Sequence, residues 1–205
     1  MKAILACDPK GGIGLNGTLP WPAPEGDHER FRELIKGCTV IMGRKSWESP
    51  DMPKPLPDCK NIVVTETPTA TSAGSLLRPI RTLAEINNLT AQYEHNIIPW
   101  KLLFLGKHIW DNEKTWCIGG AQLFLEMYYL VKELHLTILP KTYDCDRFIN
   151  IEQINNGFKI IEEQEFPDHT YRILHREWPQ KRATPSGPPG GHTKWKRTTP
   201  LGLCK

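Results

Sequence analysis

The sequence of 205 residues lacks the features of membrane, secreted and metal-binding proteins. No apolar run approaches the roughly 18 residues that a membrane-spanning helix requires. The apolar stretch after Met1 is too short for a signal peptide and has no small-residue cleavage pattern. The six cysteines include no C-x-x-C pair, and no histidine cluster could complete a zinc site. We therefore expect a cytoplasmic protein without a membrane contact, with free cysteines and with no bound metal.

Acidic residues are absent from residues 179–205, which carry six lysines and arginines. The net charge of the whole chain is only +3, so residues 1–178 are net acidic at −3. Five prolines, four glycines and few apolar residues give the segment too little surface to bury against the entropy of ordering. We predict one domain over residues 1–178 and a disordered basic tail. A solvated extension is the favoured interpretation of the tail, and contact with nucleic acid or a partner is the alternative.

Short apolar runs rich in β-branched residues alternate with amphipathic segments along the predicted domain. The runs predict buried strands at residues 2–7, 39–42, 61–65, 115–118 and 133–138. Apolar residues at helical spacing predict helices at residues 27–36, 44–49, 82–89 and 121–131, the third beginning with a capping box of Thr82 and Glu85. This alternation predicts an α/β fold, with a mostly parallel central sheet covered by helices on both faces.

Two later segments complete this predicted sheet. Residues 157–166 and 171–176 are joined by turn-forming residues and predict an antiparallel hairpin at the sheet edge. Residues 91–114 are the least regular part of the domain, and 102–105 within them fit either a strand or a buried helical turn.

The first candidate functional element is the glycine-rich segment from Gly11 to Trp21. A phosphate-binding loop is one interpretation, but the segment has neither P-loop spacing nor a Lys-Ser/Thr pair at its end. A mobile lid, with Leu19 and Trp21 covering a flat ligand and excluding water, fits better.

Asp27 is the second candidate, because it lies four residues before Phe31 and therefore on the same face of a predicted helix. An acidic residue at a helix N-terminus is also stabilised by the helix dipole, which on Asp27 alone is the commoner explanation.

Two strand-glycine-helix turns are the third candidate. Gly43 is followed by Arg44, Lys45 and a helix, and Gly119-Gly120 precede another helix. Free amide groups at helix starts and two cations favour anions, and paired turns suit a dinucleotide diphosphate. Neither turn has the G-x-G-x-x-G pattern, and glycine also simply ends strands.

The motifs of residues 1–178, taken in their order along the chain, resemble those of the dihydrofolate reductase family. They are Ile13-Gly14, Leu19-Pro20-Trp21, Asp27 with Phe31, Val40-Ile41-Met42-Gly43-Arg44, Trp47-Glu48-Ser49, Pro55-Leu56-Pro57, Asn61-Ile62-Val63-Val64, Ile118-Gly119-Gly120 and Leu136-Thr137. The resemblance implies NADPH-dependent reduction of dihydrofolate to tetrahydrofolate. We expect a monomer. It identifies residues 91–114 as an insertion.

The resemblance also implies roles for individual residues. Asp27 would bind the pterin ring and help to protonate its N5 atom, assisted by Trp21 and by a hydrogen bond from Thr137. The substrate would further contact Leu5, Ala6, His28, Phe31, Ser49, Leu56 and Ile118, and Leu15 would join Leu19 and Trp21 in the closing loop. The cofactor would contact Cys7, Ile13, Leu19, Gly43, Arg44, Lys45, Ser46, Thr65, Arg81, Gly119, Gly120, Ala121 and Gln122. The Gly119-Gly120 bond is expected to be cis.

Two residues depart from the family pattern. Cys59 stands where the family has an arginine that grips the α-carboxylate of the folate glutamate, and a thiol cannot form that bidentate pair. Glu66 stands where the family often offers a hydroxyl to the 2′-phosphate of NADPH. We therefore expect weaker folate binding and a retained preference for NADPH, supported by Arg44 and Arg81.

Two other functions compete with this interpretation. A pyrimidine reductase of the riboflavin pathway resembles the same fold and uses the same cofactor, but the pair of Asp27 with Phe31 and the Leu19-Pro20-Trp21 motif argue against it. A reductase-like binding protein without turnover is the second alternative. An assay of NADPH oxidation with dihydrofolate separates all three.

Overall fold

The computed structural model of the chain describes residues 1–66, 78–79, 95–99, 101, 103 and 110–177 and is dominated by a long mixed sheet. Its strands are β1 (Lys2–Cys7), β2 (Gly12–Gly14), β3 (Thr39–Gly43), β4 (Lys60–Thr65), β5 (Arg78–Pro79), β6 (His95–Pro99), β7 (Thr115–Cys117), β8 (Glu133–Ile138), β9 (Arg147–Phe148), β10 (Phe158–Glu165) and β11 (Thr170–Arg176). Its α-helices are α1 (Asp27–Ile35), α2 (Arg44–Glu48), α3 (Ala121–Met127) and α4 (Ile151–Gly157), and a 3₁₀ turn covers Tyr128–Leu130.

Among the described residues, nine strands form the main sheet in the order β10-β11-β8-β1-β7-β3-β4-β6-β5. Every neighbouring pair from β8 to β5 is parallel, whereas β11 is antiparallel to both β8 and β10. The predicted α/β fold and its antiparallel edge hairpin are therefore confirmed. Because β1, β7, β3 and β8 run the same way, the residues at their carboxyl ends lie along one edge of the sheet, where α/β proteins bind ligands.

Apolar side chains pack on both faces of the sheet. Leu5 packs on one face with Phe124 of α3 and Ile154 of α4. Ile4 packs on the other face with Ile35 of α1 and Trp47 of α2. Neighbouring residues of a strand point to opposite faces of the sheet. A strand that is covered on both faces is therefore apolar throughout, which explains the apolar runs of the sequence.

The predicted strands and the first two helices agree with the structure to within one residue at each end. The prediction of a helix over residues 121–131 is wrong at its C-terminal end, because α3 stops at Met127 and a 3₁₀ turn follows. The Arg176 guanidinium donates hydrogen bonds to the carbonyls of Tyr128 and Val131. These long-range bonds hold the carbonyls of the 3₁₀ turn and of the residue after it, beyond the end of α3.

The elements β2, β5, β6, β9 and α4 were not predicted. The β2 and β9 strands form a small separate sheet of very short strands. The β6 strand lies inside the segment interpreted as an irregular insertion, where Ile97 and Ile98 are fully buried. The α4 helix begins after Asn150, whose side chain accepts a hydrogen bond from the Gln153 amide at 2.9 Å. Asn followed three residues later by Gln is a helix-start signal that would have revealed α4.

Several predictions lie outside the described residues. They concern the helix over 82–89 with its capping box, the cofactor contact of Arg81, and the tail at 179–205. Most of 102–105 also lies outside them.

Candidate active site

The Asp27 carboxylate lies where α1 meets the sheet. Thr137 Oγ1 in β8 donates a hydrogen bond to Asp27 Oδ1 at 2.6 Å, which confirms the contact predicted between residues 110 positions apart. Ala6 of β1 is the register partner of Thr137, so another predicted substrate residue lies beside this pair. Asp27 is the first residue of α1, and the helix dipole does favour an acid there. The dipole alone does not explain a buried strand threonine aimed at its oxygen.

A second donor approaches the same oxygen. Arg30 Nη1 lies 3.4 Å from Asp27 Oδ1, and the two side chains are 20% and 17% exposed. Within the described part of the chain, no protein group donates a hydrogen bond to Oδ2. The carboxylate therefore presents one oxygen that the protein binds and one that a ligand can bind.

The first two glycines of the glycine-rich segment are packed closely against their neighbours. A Cβ added to Gly12 would lie 2.5 Å from Cys145 Sγ, and one added to Gly11 would collide with the Ile149 carbonyl. The fully buried Asp8 carboxylate accepts hydrogen bonds from the amides of Lys10 and Gly12 at 2.8 Å. These first glycines therefore permit close packing, which the interpretation of the whole segment as a lid did not foresee.

Only the tip of this segment has the exposure expected of a closing loop. Leu15 and Thr18 form an isolated bridge around Gly17, where an added Cβ would meet nothing within 4 Å. Leu19 is 42% exposed.

Trp21 is buried at the base of the tip. Its ring packs against that of Tyr143 with centroids 5.4 Å apart. The amide of Tyr143 in turn donates to Asp8 Oδ2 at 3.1 Å. Trp21 Nε1 is a buried donor without a hydrogen-bond partner among the described residues. Because buried donors are normally bonded, this nitrogen marks a place where a ligand or an ordered water fits.

The two predicted glycine turns adjoin each other in space. They follow neighbouring strands, β3 and β7, and the Gly43 amide donates to the Gly119 carbonyl at 2.9 Å. The Gly119-Gly120 bond is cis, as expected. A Cβ added to Gly120 would lie 3.5 Å from Ser46 Oγ. The structure therefore brings together the Gly43-Arg44-Lys45-Ser46 and Gly119-Gly120-Ala121-Gln122 segments expected at the cofactor.

The cations expected beside these turns differ in their surroundings. Arg44 Nη1 lies 2.8 Å from Glu48 Oε1 along α2, and both side chains are 41% exposed. A pair this exposed is held weakly and can exchange partners. Lys45 is exposed, and Thr65 is buried at the end of β4 next to the exposed Glu66. Arg44 and Lys45 are thus available to an anion, while Glu66 opposes it.

The predicted substrate residues occupy the ends of several elements. Leu56 follows a cis peptide bond between Lys54 and Pro55 and is 2% exposed. The Asn61 side chain accepts from the Leu56 amide at 3.1 Å and donates to its carbonyl at 3.0 Å, which fixes this turn. The other predicted substrate residues lie at the end of β1 (Leu5), on α1 (His28 and Phe31), directly after α2 (Ser49) and directly after β7 (Ile118).

Cys59 cannot perform the role of the arginine that the family pattern places at this position. Its thiol is half-buried and donates to the Leu56 carbonyl at 3.5 Å, while Asn61 Nδ2 lies 3.6 Å from the sulfur. Burial raises the pKa of the Cys59 thiol to about 11, so it is neutral at physiological pH. The nearby Lys54 ammonium donates to the Glu48 carbonyl at 3.2 Å.

The sequence interpretation missed three residues that support the site. Asp8 organises the glycine-rich segment, Asn61 clamps Leu56, and Arg30 binds Asp27. Asp8 directly follows the apolar strand β1, and Asn61 is the second residue of the apolar strand β4. A polar residue in such a position must find partners when buried, which is a usable signal. Arg30 offered no signal beyond its spacing of three residues from Asp27.

The described residues contain neither a cluster of metal-ligating side chains nor a membrane-spanning helix. Residues 1–66 and 110–177, with the short described pieces between them, contain no group of histidine, cysteine and acidic side chains suited to a metal ion. In the same residues no helix has the length and apolar character needed to cross a bilayer.

Fold and site together define an α/β enzyme in which a half-buried carboxylate and two glycine turns lie at one edge of a parallel sheet. The dihydrofolate reductase family model matches residues 1–177. A putative dihydrofolate reductase of Caenorhabditis elegans is 31% identical over 195 residues, covering 87% of this chain and 95% of that protein. Dihydrofolate reductase type 8 of Escherichia coli is 28% identical, covering 83% and 92%.

A solved structure supports the same fold. Dihydrofolate reductase from Enterococcus faecalis, complexed with NADP(H) and RAB-propyl, matches with a TM-score of 0.60 and 23% identity over 85% of this chain and 95% of that one. The present chain belongs to the dihydrofolate reductase family. Its reaction is the NADPH-dependent reduction of 7,8-dihydrofolate to 5,6,7,8-tetrahydrofolate.

Proposed function

We propose that Asp27 is the side chain through which this chain reduces dihydrofolate. The observation that carries the proposal is the 2.6 Å hydrogen bond from Thr137, which orients a carboxylate at the edge of the sheet where ligands bind. Asp27 Oδ2 then binds the amidine-like edge of the pterin. The same carboxylate helps to deliver a proton to N5 through water. Trp21 closes the site beside it with a buried N–H aimed at a ligand or water.

The two adjoining glycine turns are proposed to hold the cofactor diphosphate. Gly119 has a φ of +90°, which favours glycine, and a Cβ there would lie 3.1 Å from Leu5 Cδ2. The Ser46 hydroxyl and the Arg44 and Lys45 cations would complete an anion site. When bound, NADPH supplies the hydride, and the chain aligns the reactants and keeps water out.

The remaining contacts complete this proposal. Substrate contacts are Leu5, Ala6, His28, Phe31, Ser49, Leu56 and Ile118, and further cofactor contacts are Cys7, Ile13, Leu19, Thr65, Arg81, Ala121 and Gln122. The exposed tip from Leu15 to Leu19 would close over the bound ligands. A cytoplasmic monomer, with residues 1–178 as its domain, stays a prediction from the sequence.

The test of Asp27 is its replacement by asparagine. Asp27→Asn keeps the size of the side chain and can still accept a hydrogen bond from Thr137, but it has no exchangeable carboxyl proton. We expect turnover at neutral pH to fall by about 10² or more, the scale of a lost acid-base group. Steady-state NADPH oxidation with dihydrofolate measures it.

A matched control is Glu29→Gln, because Glu29 is an exposed acid in the same first turn of α1. Both variants lose one negative charge near the helix N-terminus, so both lose the same kind of interaction with the helix dipole. Near-normal turnover of Asp27→Asn, or equal losses in both variants, would remove Asp27 from the mechanism. Turnover of a pyrimidine substrate in place of dihydrofolate would favour the riboflavin-pathway reaction, and absence of any turnover would favour a binding protein.

A further inference from the structure

We propose that Arg30 is a positioning residue for Asp27, held in place by the C-terminal hairpin of β10 and β11. The inference rests on the proposed role of Asp27. Arg30 follows Asp27 by three residues on α1, and its Nη1 lies 3.4 Å from Oδ1, the oxygen that also accepts from Thr137. Both donors converge on one oxygen, so Oδ2 is the oxygen that faces a substrate.

The hairpin keeps the Arg30 guanidinium in one orientation. Its Cζ atom lies 4.1 Å from the centroid of the Tyr171 ring and 5.0 Å from that of Phe166. Ring faces attract cations, and the attraction is larger where water is partly excluded. Arg30 is only 20% exposed, so it is held between its carboxylate partner and two aromatic rings.

The Tyr171 ring is itself fixed by a buried polar chain. Its hydroxyl is hydrogen-bonded to His135 Nδ1, and His135 Nε2 lies 2.7 Å from Glu133 Oε1. Lys2 Nζ contacts the same Glu133 oxygen at 2.8 Å. A carboxylate beside Nε2 requires a proton there, so we assign Nδ1 as the acceptor of the Tyr171 O–H.

The charges of Tyr171, His135 and Glu133 in this hydrogen-bonded chain stay constant over a wide pH range. Burial raises the pKa of Tyr171 to about 12 and lowers that of His135 below its usual value. Burial would raise the pKa of Glu133, but hydrogen bonds from Lys2 and His135 bring it down to about 2. Near neutrality Tyr171 is therefore protonated, His135 neutral and Glu133 ionised. Titration of these groups therefore does not disturb the orientation of the Tyr171 ring against which Arg30 packs.

A second contact joins the hairpin to the start of α1. Asp168 Oδ2 accepts a hydrogen bond from the Glu25 amide at 2.9 Å, two residues before Asp27. Asp168 Oδ1 lies 2.7 Å from Nδ1 of His169, whose ring stacks on Phe166. The hairpin thus fixes both the chain that enters α1 and the cation one turn into it.

The consequence for the reaction is electrostatic. A cation within about 4–6 Å favours the ionised form of a carboxyl group, so Arg30 stabilises Asp27 as the carboxylate that binds the pterin edge. Removal of this charge takes away that stabilisation of the carboxylate. The midpoint of the pH profile of kcat should therefore move upward by roughly one unit.

The experiment compares pH profiles of NADPH oxidation with dihydrofolate in full-length variants. Arg30→Met keeps an unbranched side chain against the rings without the charge, and Arg30→Gln is a second neutral variant in case the first folds poorly. Arg30→Lys keeps the charge and should restore the midpoint. Arg172→Met is the control, because it removes an arginine and its ion pair with Glu163 from the residue next to Tyr171. His28, Glu162 and His169, the other titratable groups nearby, stay unchanged throughout.

We expect an upward shift in both neutral variants, little shift in Arg30→Lys and none in Arg172→Met. A midpoint unchanged in a folded neutral variant, or moved equally in Arg30→Lys, would overturn the proposal and leave Arg30 as a packing residue. If instead the wild-type chain did not reduce dihydrofolate, or Asp27→Asn did not lower turnover, the proposed role of Asp27 would fail. The two failures are therefore distinguishable.

Discussion

Replacing Cys59 by arginine should strengthen dihydrofolate binding with little change in turnover. The family places an arginine at this position for the α-carboxylate of the folate glutamate, and here the half-buried, neutral thiol is hydrogen-bonded to the Leu56 carbonyl. A thiol offers an anion neither charge nor a pair of donors. Lys54 is the nearby cation, but its ammonium donates to the Glu48 carbonyl.

The size of the effect follows from the bond gained and from its exposure. A hydrogen bond to a charged group contributes about 1.5–3 kcal/mol, which corresponds to about one to two powers of ten in affinity. Cys59 is only half-buried, so solvent screens part of this gain. We therefore expect KM for dihydrofolate to fall severalfold. The contact is remote from the reacting ring and stabilises ground and transition states alike, so kcat should hardly change.

Steady-state kinetics with dihydrofolate measures both parameters, and Cys59→Met is the control for a longer side chain without charge. A melting curve of each variant checks that the lost thiol contact with Leu56 has not loosened the turn. An unchanged or higher KM in a folded Cys59→Arg variant would refute the reasoning. That result would mean that Lys54 or Lys60 already binds the carboxylate, or that the glutamate of the substrate follows another path.

Two further predictions concern the cofactor and the tail. NADPH should be used with a higher kcat/KM than NADH, because Arg44 has only an exposed partner in Glu48 and can turn to a 2′-phosphate. Comparable kcat/KM values for the two cofactors would mean that repulsion by Glu66 prevails. Deletion of residues 179–205 should leave reductase activity and Tm nearly unchanged, because their composition offers little surface to bury. A Tm lower by several degrees after the deletion would show that the tail packs on the domain.

Much of the fold could be predicted because its strands are buried on both faces. Ile4 and Leu5 face separate cores on opposite sides of the sheet, so both must be apolar. A strand of this kind therefore appears in the sequence as a continuous apolar run. The end of α3 could not be predicted in this way. It depends on Arg176, which reaches the carbonyls of Tyr128 and Val131 from β11.

The residues of the candidate site likewise include some that could be predicted from the sequence and some that could not. Asp27, Thr137 and the two glycine turns were identified because they carry the family pattern, and the structure joins Asp27 to Thr137 as expected. The support around them was missed. Arg30 contacts the Tyr171 ring of the C-terminal hairpin, and Asp8 accepts hydrogen bonds from Gly12 in the glycine-rich segment and from the distant Tyr143. The contact of Arg30 with the hairpin and that of Asp8 with Tyr143 arise from tertiary packing, so the sequence does not show which partners these residues find.

The most direct test of the account is dihydrofolate-dependent oxidation of NADPH by the purified full-length chain, with identification of the folate product. We predict that one tetrahydrofolate forms for each NADPH oxidised and that Asp27→Asn loses most of this turnover while Glu29→Gln retains it. A folded chain that binds NADPH and dihydrofolate but oxidises no NADPH would contradict the account.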